Sequence, residues 1–122
     1  MSASDLDETL ELKPRFDANG LLSAIVQNAG DGTVLMFAHM NAEALAKTQE
    51  TGRIHFYSRS RQTLWMKGET SGETFAVVDL LIDCDQDCVL IKVKPEGKGL
   101  ACHTGRRSCF YRRVTGAALE MT

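Results

Sequence analysis

The sequence predicts an α+β fold, a β-rich single domain with at least one helix. Three observations predict it. Several runs of four to eight residues are rich in Val, Ile, Leu and aromatics and are bounded by Gly, Asn, Asp or Ser. One longer stretch combines good helix formers with a start and a stop signal. The composition, 43% hydrophobic and 25% charged over 122 residues, belongs to a globular chain of one domain rather than a disordered chain or a coiled coil.

Taken in order, residues 1–15 form an N-terminal arm, acidic and weakly patterned, read as frayed or as a short leading segment. Residues 16–115 are the domain proper and 116–122 a C-terminal tail. LLSAIVQN and TVLMFAHM read as two strands joined by the glycine-rich turn NAGDG, hence a hairpin. NAEALAKTQETG reads as a helix, with Asn41 as N-cap, Glu43 in the first turn and Gly52 ending it in the left-handed region. RIHFYSRSR is expected to be a strand running into a basic turn. LWMKGETSGE is expected to be a strand end with a glycine-bearing loop, and TFAVVDLLID and VLIKVK two further strands. PEGKG turns the chain before LACHTGRRSCFYRRV. No repeat, low-complexity run or linker interrupts this order.

The formal net charge of −2 lacks the excess of cations that general nucleic-acid binding needs. No apolar run is long enough to cross a bilayer, and the N-terminus has no signal-peptide pattern. The expected address is cytoplasmic, without membrane or nucleic-acid partners. There, cysteines stay reduced, so Cys84, Cys88, Cys102 and Cys109 point to metal binding or reactivity more than to disulfides.

The densest chemistry lies in DCDQDC, residues 83–88. An EF-hand is excluded because its sixth position, which needs Gly, is Cys88, and its twelfth, which needs Glu, is Lys94. With residues 79–93 extended, Asp83, Asp85 and Asp87 share one face and Cys84 the other. Oxygen ligands suit Mg²⁺ and thiolates suit Zn²⁺, so the stretch can serve two metals; the competing reading is a solvated acidic turn. Cys88, about 13 Å from Cys84 along an extended strand, is set aside as a buried thiol. Gly105 permits a turn in CHTGRRSC that brings Cys102 and Cys109 toward one ion, with Cys84 as a third ligand. Three protein ligands leave zinc an open position for catalysis. His103, facing away from Cys102 if the segment is a strand, is a candidate for proton transfer or a plain surface or core histidine. His39 and His55 carry weaker signals. The His-x-Glu pattern of zinc base deaminases is absent, and the cysteine spacing does not make a zinc ribbon.

Anion contacts are expected from two segments. SRSR puts Arg59 and Arg61 on one face if extended, and KGETSG offers Lys67 and the Ser71 hydroxyl in a loop whose N–H groups can cradle an anion. Trp65 between them is either a stacking platform for a heterocycle or a core aromatic. Metal ligands flanked by basic groups point to a phosphorylated, nucleotide-like small molecule, whereas a zinc-stapled module that binds a nucleotide or RNA is the non-catalytic rival.

VLMFAHMNAEAL, HFYSRSRQTLWMKGETSGE, DCDQD and ACHTGRRSCF, in this order, resemble the phosphoribosyl-AMP cyclohydrolases of histidine biosynthesis over about residues 16–113. The resemblance implies a hydrolase that opens the purine ring of phosphoribosyl-AMP between N1 and C6, giving the aminoimidazole carboxamide intermediate. It implies Zn²⁺ held by Cys84, Cys102 and Cys109, and Mg²⁺ held by Asp83, Asp85 and Asp87. An obligate-type homodimer is implied as well, with Cys84 facing the other two cysteines across the interface. On this reading zinc activates the attacking water, His103 moves a proton, and Arg59, Arg61, Trp65, Lys67 and Ser71 bind substrate. His39 stands where the family commonly has Tyr, and Cys88 where it commonly has a small apolar residue. The pyrophosphohydrolase domain fused to this one in some relatives is not expected here.

Overall fold

The computed structural model describes residues 7–122. Residues 1–6, part of the expected N-terminal arm, lie outside the described residues. Among the described residues, six strands and a ten-residue helix follow the predicted order and two further strands come after them: β1 Leu22–Asn28, β2 Val34–Met40, α1 Ala42–Thr51, β3 His55–Ser58, β4 Thr63–Met66, β5 Phe75–Ile82, β6 Cys88–Pro95, β7 Arg112–Thr115 and β8 Ala118–Met121. Four strands form the main sheet in the order β2-β1-β6-β5, while β3-β4 and β7-β8 are separate two-stranded ribbons.

Strand alternation builds the core. Leu22, Ala24 and Val26 of β1 and Val89, Ile91 and Val93 of β6 point to one side of the sheet and are buried. Leu35, Met36 and Met40 of β2, Ile54, Phe56 and Phe75 complete the cluster beneath α1. β1 pairs antiparallel with β2 and parallel with β6, and β6 pairs antiparallel with β5. The β1-β2 turn is closed by Asn28, whose Oδ1 accepts from Gly30 N at 2.7 Å, with Gly32 at φ 78° where a side chain is strained.

The helix forms as its end signals require. Asn41 Oδ1 accepts from Ala44 N at 2.8 Å, and Gly52 at φ 72° sends its N–H back to Thr48 O at 3.0 Å. It buries Ala44, Leu45 and Thr48. Buried Thr48 also fastens helix to strand: its Oγ1 donates to Ala44 O at 2.8 Å and accepts from His55 N at 2.9 Å. β3 is thereby held under the helix, and its hairpin with β4 carries Trp65 against Phe56 with ring centroids 5.0 Å apart.

Five local expectations are corrected. Residues 79–93 are not continuously extended, because the chain turns at 83–87 between β5 and β6. SRSR is not extended either: 59–62 is the β3-β4 turn, closed with Gln62 at φ 51°. Cys102 and His103 sit on a turn rather than a strand. The stretch expected as a C-terminal tail contains β8, paired with β7 from Arg112↔Met121 to Thr115↔Ala118. Every residue of both strands is exposed, which removed the alternation that would have marked them as strands. At the other end, residues 11–15 are docked rather than frayed. Gln86 Oε1 accepts from Lys13 N at 2.6 Å, its Nε2 donates to Glu11 O at 3.2 Å, and its carbonyl accepts from Arg15 N at 2.7 Å.

Candidate active site

A cleft of about 530 Å³ opens between the loop after β4 and the cysteine-bearing segment after β6. Arg61, Trp65, Lys67, Ser71, Cys102, His103 and Cys109 line it together, drawn from three separate stretches of sequence. Arg59 faces a neighbouring depression with His39, Tyr57 and Ser58, and Arg61 and Trp65 border both spaces. Both arginines thus line the depression, and Arg61 also reaches the cleft.

Cys102 and Cys109 are brought to each other by the turn at Gly105, which has φ 82°. Cys102 N donates to Arg106 O and Gly105 N to Cys102 O, both at 3.0 Å. The other thiol is pinned to the edge of the sheet, with Cys109 N donating to Leu35 O at 2.8 Å and Ser108 Oγ to Val34 O at 2.7 Å. Arg107 adds an ion pair with Asp31 in the β1-β2 turn. Asp31 is held down at about 2, by the Thr33 N–H first and the Arg107 guanidinium next. The two sulfurs are neighbours and titrate apart. Burial opposes ionisation of Cys102, but the Thr104 hydroxyl, donating to its sulfur at 3.0 Å, helps hold that thiol below its ordinary value. Desolvation and the neighbouring Cys102 push Cys109 up to about 11. Two adjacent thiols of opposite tendency suit a soft cation, which binds sulfur as thiolate. His103 is exposed at the rim while Cys102 is buried beneath it.

Asp83, Asp85 and Asp87 meet through the turn rather than through strand alternation. Gln86, buried and at φ 58°, closes it with Gln86 N donating to Asp83 O at 3.0 Å. Asp83 Oδ1 accepts from Asp87 N at 3.0 Å and Cys88 N at 3.1 Å. Those N–H bonds outweigh burial and lower the Asp83 carboxyl. Asp87 is pushed up to about 6 by hydrogen bonding with Asp85 and then Asp83, the signature of carboxylates too close to ionise together. One oxygen from each lies within 4.8 Å of the other two. Asp85 Oδ1 is buried without a hydrogen-bond partner. An orphaned acceptor amid crowded carboxylates fits a hard cation.

Cys84, exposed on the same turn, does not join Cys102 and Cys109. Among the described residues, the three aspartates are the sole set of three such donors close enough to share an ion. Within one chain the thiol pair is therefore two donors with room for more. Cys88 is half-buried rather than buried, and burial followed by the charges of the three aspartates keeps its thiol protonated. Two residues escaped the sequence reading. Gln86 shapes the acidic turn, and Glu73 accepts three backbone hydrogen bonds beside the cleft. Neither carried a local sequence signal: the left-handed backbone of Gln86 and the partners of Glu73 are set by the fold.

The family model described as phosphoribosyl-AMP cyclohydrolase matches residues 36–111, which contain every cleft residue above. A phosphoribosyl-AMP cyclohydrolase of Hyphomonas neptunium is 62% identical over 122 residues, covering all of this chain and 92% of that protein. One of Chelativorans is 64% identical over 111 residues, 91% of this chain and 80% of its own length. One of Caulobacter is 59% identical over 114 residues, 93% and 85% respectively.

Proposed function

Because this chain belongs to the phosphoribosyl-AMP cyclohydrolase family, we propose that its cleft opens the purine ring of phosphoribosyl-AMP by hydrolysis at the N1–C6 bond, a step of histidine biosynthesis. The observation that carries this reading is the convergence of a thiol pair, an exposed histidine and two basic groups on one cleft. Cys102 and Cys109, with Cys84 of a second subunit, hold Zn²⁺, and Asp83, Asp85 and Asp87 hold Mg²⁺. A bound zinc supplies Lewis acidity and a water acidic near neutral pH. The protein's own groups do the rest. Trp65 offers its face to the purine. Lys67 and Arg61 neutralise phosphate oxygens, the Ser71 hydroxyl donates to one, and Arg59 reaches a second phosphate from the adjoining depression. His103 carries a proton between water and the ring nitrogen.

Two features support a homodimer. The β7-β8 ribbon is exposed on every residue, and a lone two-stranded ribbon is at best marginally stable in water. Val114, Leu119, Met121 and Phe110 are also left uncovered at 53–74% exposure. The shared-site reading takes Cys84 across that contact. No helix among the described residues is long and apolar enough to cross a membrane.

Purified protein given phosphoribosyl-AMP and Mg²⁺ is expected to change the ultraviolet spectrum as the purine ring opens, with loss on chelation and recovery on adding zinc. An unchanged spectrum alongside retained nucleotide binding would favour the non-catalytic module.

A further inference from the structure

We propose that Glu73 is a positioning residue that latches the loop carrying Lys67 and Ser71 to the segment leading into Cys102, and so sets the width of the cleft for substrate. This rests on reading the cleft as the nucleotide site. Glu73 Oε1 accepts from Lys98 N, and its Oε2 accepts from both Gly99 N and Leu100 N, all at 3.0 Å. Three successive N–H groups aimed at one carboxylate make a backbone nest for an anion, here filled from within the chain. Close packing surrounds Glu73 on both sides, its backbone against Gly68 of its own loop and its carboxylate against Gly97 of the other. A Cβ at Gly68, already at φ 85°, meets the Glu73–Thr74 backbone at 2.3–2.5 Å, and one at Gly97 meets the Glu73 carboxylate at 2.8 Å.

Position explains the consequence. Leu100, the last donor to the latch, lies two residues before Cys102, and Lys67 lies one residue before Gly68. Both ends of the latch are thus walls of the cleft. Releasing it lets the wall that bears Lys67 and Ser71 move relative to the wall that bears Cys102 and His103. Substrate held between them loses binding before it loses chemistry.

Two variants release the latch by different routes. In Glu73→Gln an NH₂ group replaces one acceptor oxygen and the charge is gone, whereas Gly97→Ala leaves the charge but drives a methyl against the carboxylate. Hydrogen exchange of the amides at 98–100 and steady-state kinetics with phosphoribosyl-AMP are measured on both. Faster exchange at 98–100 is expected in each, with KM raised about tenfold, as for one lost charge-assisted hydrogen bond, and kcat changed far less. Faster exchange with unchanged KM would make Glu73 a structural tie and overturn the positioning role; unchanged exchange would overturn the latch itself. Absence of turnover in the unsubstituted protein overturns the substrate reading instead, which the exchange data distinguish from failure of the latch.

Discussion

Lys67→Met separates binding from stability in a way few substitutions allow. Lys67 is 8% exposed, with its ammonium 5.2 Å from the centroid of the Phe75 ring, so most of the side chain is already packed as an apolar stem. Methionine keeps that packing and removes the charge. If the ammonium neutralises a substrate phosphate, its loss removes a charge-assisted hydrogen bond of about 1.5–3 kcal/mol, or about 10- to 150-fold in kcat/KM. The fold responds in the opposite direction. Burial lowers the Lys67 pKa from its ordinary 10.5, with the charge of Glu73 opposing. Between the lowered value and 10.5 the folded chain binds fewer protons than the unfolded one, so stability rises with pH through that window and the penalty is fully present below it. At neutral pH the variant should therefore melt at or above the temperature of the parent, the difference shrinking as the window is crossed. Kinetics from the ring-opening absorbance change and melts at two pH values test both halves. A kcat/KM within about twofold of the parent would refute the phosphate role, and a melting point several degrees lower at neutral pH would refute the burial argument.

Other outcomes follow from the same geometry. With a folded pKa of about 6 against 3.8, Asp87 makes the metal-free fold gain stability as pH falls through that window and lose it above. Mg²⁺ should consequently raise the melting temperature more above about pH 7 than near pH 5, and equal increments would count against cation binding by the aspartates. Cys102→Ser is expected to lose bound zinc and turnover together, as read by elemental analysis and the absorbance assay; full activity without zinc sinks that assignment. Thr48→Val keeps the shape but strands the part-buried N–H of His55, and should cost about 1 kcal/mol in chemical denaturation. A variant as stable as the parent would show that the helix is held without that bond.

Signals that act over a few residues were legible. The Asn41 and Gly52 caps delimit α1, and alternation with flanking turn residues marks β1, β2, β5 and β6. Extension was over-read where apolar or basic residues alternate by chance. The 83–87 segment turns because Gln86 adopts the left-handed region and takes its hydrogen bonds from residues 11–15, more than seventy positions away. Such a partner is invisible to a local pattern. The grouping of the three aspartates stood on the wrong cause: they gather through a turn whose N–H groups bind Asp83. Cys102 and Cys109 met through Gly105 as its spacing allowed, while Glu73 depended on a contact 25 to 27 positions on. Exposed β7 and β8 carry no buried face in a single chain, so nothing in their pattern announced strands.

The parallel pairing of β1 with β6 bears on how the chain reaches its native state. Ser23 aligns with Cys88, so a loop of about 65 residues must close before this seam can zip, and no hairpin assists it. All of α1, β3, β4 and β5 lie inside that loop, together with Arg61, Trp65, Lys67 and Ser71. The acidic turn ends where the seam begins, at Cys88, although its own hydrogen bonds are local to the β5-β6 connection. The residues of the cleft are in this sense carried on a long excursion whose two ends meet side by side in the sheet.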